Sequence, residues 1–159
     1  MRILVLSAIA LVACNPCDPT DLPAGDATAL VNDVDWETSG ATWRWAGSSL
    51  QIGMPESGGW AFTLVAMREV EGEAVSDAIE AEAFPVEVAL GDGESGFATV
   101  YPAEGSSMTT SDPTGIVEIQ AIDGDSLFAC FEFPAMSDTN NVEVQKGQVH
   151  AELFEFDAQ

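Results

Sequence analysis

One histidine, three cysteines and 27 acidic side chains are the groups in this 159-residue chain that could do chemistry. His150 lies between Val149 and Ala151, which alternation directs to a core, so it faces outward with Gln148 and Glu152. As a general base it would have to touch a nucleophile and be held by an orienting acid. No Gly-x-Ser-x-Gly elbow marks any serine, and an ordinary strand histidine is the expectation. Paired carboxylates can hydrolyse glycosides, but among 27 acidic residues no pair stands out. Calcium takes about six to eight oxygen ligands. Asp92 and Glu94, Asp123 and Asp125, and Asp138 sit in turn-like stretches with suitable atoms, and none completes an EF-hand loop. Asp-Gly turns explain the same residues without an ion. The expectation is therefore no catalytic residue and no cofactor, with those five residues as the only calcium candidates.

Charge narrows the partners. Only four basic residues, Arg2, Arg44, Arg68 and Lys146, oppose the acids, for a formal net charge of −23. Nucleic-acid binding needs Lys and Arg to neutralise phosphates, and an anionic lipid surface would repel such a chain. Disorder would need low hydrophobicity, whereas 47% of the residues are hydrophobic. The length suits one domain.

The elements that must position these groups read as strands. From Ala27 onward, apolar residues alternate with polar ones between turn residues. Ala27–Val31 and Val34–Trp36 flank Asn32-Asp33, and Ala41–Ala46 places Trp43 and Trp45 on one face. Leu50, Ile52 and Met54, then Trp60, Phe62, Leu64 and Ala66, form the next faces around Pro55–Gly59. Val86, Val88 and Leu90 make a short strand, followed by Phe97–Tyr101. Val117, Ile119 and Ala121 lead through Asp123-Gly124, the strongest hairpin signal, to Leu127, Ala129, Phe131 and Phe133. In the last strand Val142 and Val144 are even and Val149, Ala151 and Leu153 odd, so a bulge at Lys146-Gly147 must insert one residue. Glu69–Phe84, rich in Glu and Ala, is expected to be a loop with a helical turn. The expected fold is all-β: a single antiparallel β-sandwich or partly closed β-barrel of about nine strands, mostly hairpin-connected.

The chain begins differently. Met1-Arg2 precedes an apolar run, Ile3–Val12, too short to cross a bilayer and suited to a secretory signal. It ends in Leu11-Val12-Ala13-Cys14, which resembles the lipobox of bacterial lipoproteins. The resemblance implies cleavage between Ala13 and Cys14, a diacylglycerol thioether on Cys14, and acylation (palmitate or similar) of its new amino group. It also implies an envelope location, and Asn15, in place of Asp, points to the outer membrane. The segments that follow are a signal peptide (1–13), a lipidated Cys with a Pro-rich acidic tether (14–26) and a β domain (27–157). The tether, stiffened by Pro16, Pro19 and Pro23, could hold the domain up to about 35–40 Å from the lipid.

Four fragments carry a second resemblance: Ala29–Trp36, Thr114–Ile119, Phe128–Phe133 and Val142–Gly147. Their order is similar to an uncharacterised family of small bacterial lipoprotein β domains, with VNG-x-x-W, G-x-V-x-I, G-x-F-x-F and V-x-I-x-x-G-x-F elements. Here Asp33 and Ala129 replace glycines, and Val149 the last aromatic. The resemblance implies fold and location, and no activity.

With Cys14 acylated and one histidine, a zinc site lacks ligands. Cys17 and Cys130 are left: in an oxidising compartment they would pair, or Cys17 stays free near the lipid. Trp36, Trp43, Trp45 and Trp60 are expected in the core, the alternative being an exposed row that stacks on sugar rings. Arg44 and Arg68 are expected to pair with cross-strand carboxylates. The functional expectation is a lipid-anchored, non-catalytic cell-envelope β domain that binds an envelope protein or ligand or forms a surface coat. Its partners would be the bilayer, through Cys14, and no nucleic acid. The alternatives are a lipocalin-like carrier of a small apolar ligand and, last, a carboxylate-based envelope hydrolase.

Overall fold

Two-residue alternation governs the chain from Asp26 onward. The computed structural model describes residues 17–46, 49–70, 73–74, 82–86, 93–104, 107–109, 115–136 and 141–154. The strands are β1 (Asp26–Val31), β2 (Val34–Ser39), β3 (Thr42–Ala46), β4 (Ser49–Ser57), β5 (Trp60–Val70) and β6 (Glu73–Ala74). They continue as β7 (Glu82–Val86), β8 (Gly93–Pro102), β9 (Met108–Thr109), β10 (Gly115–Asp123), β11 (Ser126–Met136) and β12 (Asn141–Leu153). Among the described residues there is no α-helix, only one 3-10 turn at Pro19–Asp21.

The fold is all-β, as its alternation requires. Strands β2, β1, β12, β11, β10 and β7 form one antiparallel layer; β3, β4, β5 and β8 form the other, with β6 on β5. Two short parallel contacts stitch the edges: Glu152 and Leu153 of β12 beside Thr42 and Trp43 of β3, and Val86 of β7 beside Gly96 of β8. Strand β9 bridges β8 and β11. The result is a sandwich pinched at its edges rather than a regular closed barrel.

Inward residues of both layers fill the space between them. Phe62, Phe131, Phe133, Leu50, Ile52, Leu64, Ile119 and Leu127 are buried there. Trp36 of β2 meets Phe62 of β5 edge-on, centroids 4.7 Å apart at 89°, and Phe62 meets Phe133 of β11 at 6.4 Å. The Trp36 indole Nε1 donates to the carbonyls of Ser57 at 2.9 Å and Trp60 at 3.3 Å. That pairing satisfies a polar atom within an apolar cluster. Trp36→Phe is expected to lose about 1–2 kcal/mol in urea unfolding, because both carbonyls lose their donor while the aromatic contact is largely kept.

Two turns and a bulge set the register. Asn32 (φ 51°) and Asp33 (φ 63°) take the left-handed conformations of a two-residue hairpin turn. The Asn32 carboxamide oxygen also accepts from the Glu143 N–H at 2.9 Å, tying the turn to β12. At the expected bulge, Thr28 and Leu30 pair with Gln148 and Gln145, while Phe131 and Phe133 pair with Gly147 and Val144. On both sides β12 spends three residues where its neighbour spends two. Lys146 takes the left-handed conformation (φ 52°), and Gly147 lies beneath the Phe131 ring.

Several expectations are corrected. Residues 69–70, 73–74 and 82–84 of the Glu- and Ala-rich stretch are strand rather than helical turn, because β5 continues into its pairing with β8 (Arg68 opposite Glu94, Glu69 opposite Gly93). Sheet pairing here outweighs local helix propensity. A strand at Glu82–Val86 pairs with β10 and takes in Val86; the rest of the strand expected at Val86–Leu90, with Val88 and Leu90, falls outside the described residues. Trp45 does not share the burial of Trp43: it is 41% exposed against 4%. β3 ends at Ala46, and Trp45 leans edge-on against Trp43 (6.2 Å, 81°) at the rim.

Candidate functional site

The first site is the docked N-terminal segment. Cys17 and Cys130 form a disulfide with Cα atoms 6.2 Å apart, across 113 residues of sequence. Cys130 lies on β11 opposite in parity to the inward Ala129 and Phe131, so the bridge is on the outer face of the first layer. The chain then follows that face. Pro19 is buried, Asp18 caps the 3-10 turn, and the Gly25 N–H donates to the His150 carbonyl at 2.7 Å. The Thr20 hydroxyl, then the Thr20 N–H, hold the Asp18 carboxyl below its ordinary range. This cap is complete at neutral pH and is lost as acid protonates Asp18. Residues 17–25 are therefore part of the domain and not the free spacer expected from their prolines. Proline-rich composition limits the backbone but does not prevent docking where a disulfide and buried Pro19 hold it.

His150 is outward-facing, as alternation requires, but half-buried by this segment. Its Nδ1 lies 2.8 Å from the Leu22 carbonyl, which makes it the protonated nitrogen, and its Nε2 lies 3.1 Å from the Ser126 hydroxyl. The ring stacks on Phe128 at 4.2 Å. A serine hydroxyl on an oriented imidazole is part of the acyl-transfer arrangement; here the Nδ1 contact fastens the docked segment to β12, and the Nε2 contact joins β12 to Ser126 of the neighbouring β11. The grooves described below are lined by neither residue.

Of the acidic candidates, Asp123 and Asp125 alone have described side chains. Asp123 and Asp125 are exposed in the β10–β11 turn, where the Asp125 carbonyl accepts from the Trp43 indole at 2.9 Å and the Leu153 N–H at 2.7 Å. Glu94 is described by its backbone pairing alone, and Cys14, Ala13, Asp92 and Asp138 lie outside the described residues. Among the described residues no three His, Cys, Asp or Glu side chains are grouped to hold a metal, and no helix is long and apolar enough to cross a membrane.

The second site is a shallow groove of about 480 Å³ on the outer face of β3, β4, β5 and β8. Outward positions of the four strands line up in register. Thr42, Gly53, Thr63 and Thr99 form one row; Arg44, Gln51, Val65 and Phe97 form the next. The Arg44 guanidinium donates to the Gln51 carboxamide oxygen at 3.1 and 3.3 Å, which holds both side chains across the strands. Tyr101 on β8 and Phe154 just after β12 complete the lining and are 46% and 44% exposed. The Phe154 N–H donates to the Trp43 carbonyl at 2.8 Å, which fixes it beside β3. Among the described residues no carboxylate lines this groove, whereas three others all include Glu37. Sequence reading looked for exposed aromatics among the tryptophans and missed Phe97, Tyr101 and Phe154. Their outward parity was visible, but their convergence depends on which strands become neighbours.

Comparison with protein-family models, curated proteins and solved structures gave no match.

Proposed function

We propose that this chain is a lipid-anchored, non-catalytic binding module of the bacterial cell envelope, attached through Cys14 and binding through the groove. The observation that carries the reading is the position of the disulfide. Cys17 is rooted on the outer face of one layer, and the groove lies on the outer face of the other. The two layers meet through their inner faces at Phe62 and Phe133, so these outer faces point in opposite directions. From Cys14 to Cys17 is three residues, at most about 11 Å of extended chain. An acyl group on Cys14 would thus hold the β11–β12 face near the bilayer and turn the groove away from it. The aromatic filling between the layers supports a surface binder over a carrier with an interior chamber.

The test is phase partition of the full chain expressed in a lipoprotein-processing bacterium. The native chain is expected to enter the detergent phase and the membrane fraction, and Cys14→Ser to lose most of that partition. Equal partition of the two would overturn the anchor.

A further inference from the structure

We infer that the groove over β3, β4, β5 and β8 is a binding site for a neutral polysaccharide chain. This deepens the reading of the domain as a binding module and is independent of its lipid anchor.

Shape comes first. The groove crosses four strands, so Phe154 beside β3 and Tyr101 on β8 stand at opposite ends of a face about 14 Å across, three interstrand spacings wide. A long, shallow trough of this kind suits a segment of an extended polymer and gives a compact small molecule little to enclose.

The lining chemistry selects the polymer. Tyr101 and Phe154 present ring surface at the two ends, with Phe97 on β8 in the row beside the threonines. Aromatic rings combine apolar area with a preferred stacking geometry, and the C–H faces of sugar rings are their natural partner. Between the rings, the hydroxyls of Thr42, Thr63 and Thr99 both donate and accept, as sugar hydroxyls do. Gly53 lies in the same row, and with no side chain it leaves the trough low at its centre. In the adjoining row the Gln51 carboxamide oxygen accepts from Arg44, and the chemistry left to that amide is its NH₂ donor.

Charge decides between neutral and acidic polysaccharides. Among the described residues the lining holds one cation, Arg44, and no carboxylate, so sugar oxygens meet no repulsion from them. Beyond it the chain carries a net charge of −23, which repels any long polyanion at moderate ionic strength. A neutral chain satisfies the groove without working against that field.

The experiment is affinity electrophoresis of the detergent-solubilised full chain through gels containing xylan, mixed-linkage β-glucan, galactomannan, amylopectin or, as acidic counterpart, polygalacturonate. Retardation by at least one neutral polymer is expected, with little or none by polygalacturonate. Tyr101→Ala and Phe154→Ala should each weaken the retardation about tenfold. Both side chains are about half exposed, so only a small change in melting temperature is expected. Thr63→Val, which keeps the shape and removes one hydroxyl, should weaken it about threefold, and Asp35→Asn in a different groove should leave it unchanged. No retardation by any neutral polymer, preference for polygalacturonate, or full binding in the Tyr101 and Phe154 variants would overturn the inference. A partner protein lost through the same two substitutions, with no polysaccharide bound, would overturn the ligand class while leaving the binding-module reading in place.

Discussion

Gly147→Ala is expected to lower the unfolding free energy by about 3 kcal/mol or more, near the upper end of what overpacking costs. A Cβ at this position would lie 2.6 Å from Cζ of Phe131 and closer still to Cδ2 and Cε2. Neither side can yield easily. Gly147 is held in the ladder opposite Phe131, at the point where β12 carries its extra residue. The Phe131 ring is buried, and Phe133 packs 6.2 Å from it. Relief would need the bulge to shift, and a one-residue slip would turn the following Val149 and Ala151 out of the core. Urea unfolding measures the loss directly. Phe131→Leu should be much less harmful in the Gly147→Ala background than in the native chain, because the smaller side chain removes the collision. Additive losses in the double variant would mean that the ring and the glycine do not meet.

Cys17→Ser is expected to cost about 2–4 kcal/mol, since the bridge closes a loop across 113 residues and so restricts the unfolded chain strongly. A local effect should accompany the global one. Without the bridge, the 3-10 turn and the contacts of Leu22 and Gly25 with His150 must hold residues 17–25 against β11 and β12 alone. Limited proteolysis should then cleave within 17–24 well before the sheets, while the strand core remains folded. In the anchored protein, release of residues 17–24 would lengthen the lead from Cys14 from three residues to eleven at Gly25, up to about 40 Å when extended. If Cys17→Ser left both the unfolding midpoint and the proteolytic pattern unchanged, the clamp would have no mechanical role.

The layers were legible in the sequence because their signal is local and repeated. Alternation located most of the core, and the parity change between Val144 and Val149 required the bulge found at Gln145–Gly147. Asn32-Asp33 and Asp123-Gly124 marked turns that the structure places between β1 and β2 and between β10 and β11. Composition misled where pairing overrode it: Glu and Ala around residue 70 suggested helix, but β8 supplies a strand partner there. Trp45 continued the parity of Trp43, and parity alone does not reveal where the opposing layer ends. The docking of residues 17–25 left only a faint trace, the outward parity of Cys130, because Pro19 and Leu22 carry no periodic signal. The groove was least legible. Its rows join β3 and β4 to β5 and β8, and its last aromatic follows β12, so the site exists only once the strand order is known.

The proposal that the domain is a close-held lipoprotein makes one peptide decisive. Mass spectrometry of the native, unreduced protein extracted from membranes should find an N-terminal peptide that begins at Cys14. That peptide should carry the diacylglyceryl and acyl masses on Cys14 and be linked through Cys17 to the peptide containing Cys130. A mature N-terminus elsewhere, or an unmodified Cys14, would contradict the anchor. Alkylatable thiols at both Cys17 and Cys130 would contradict the short leash.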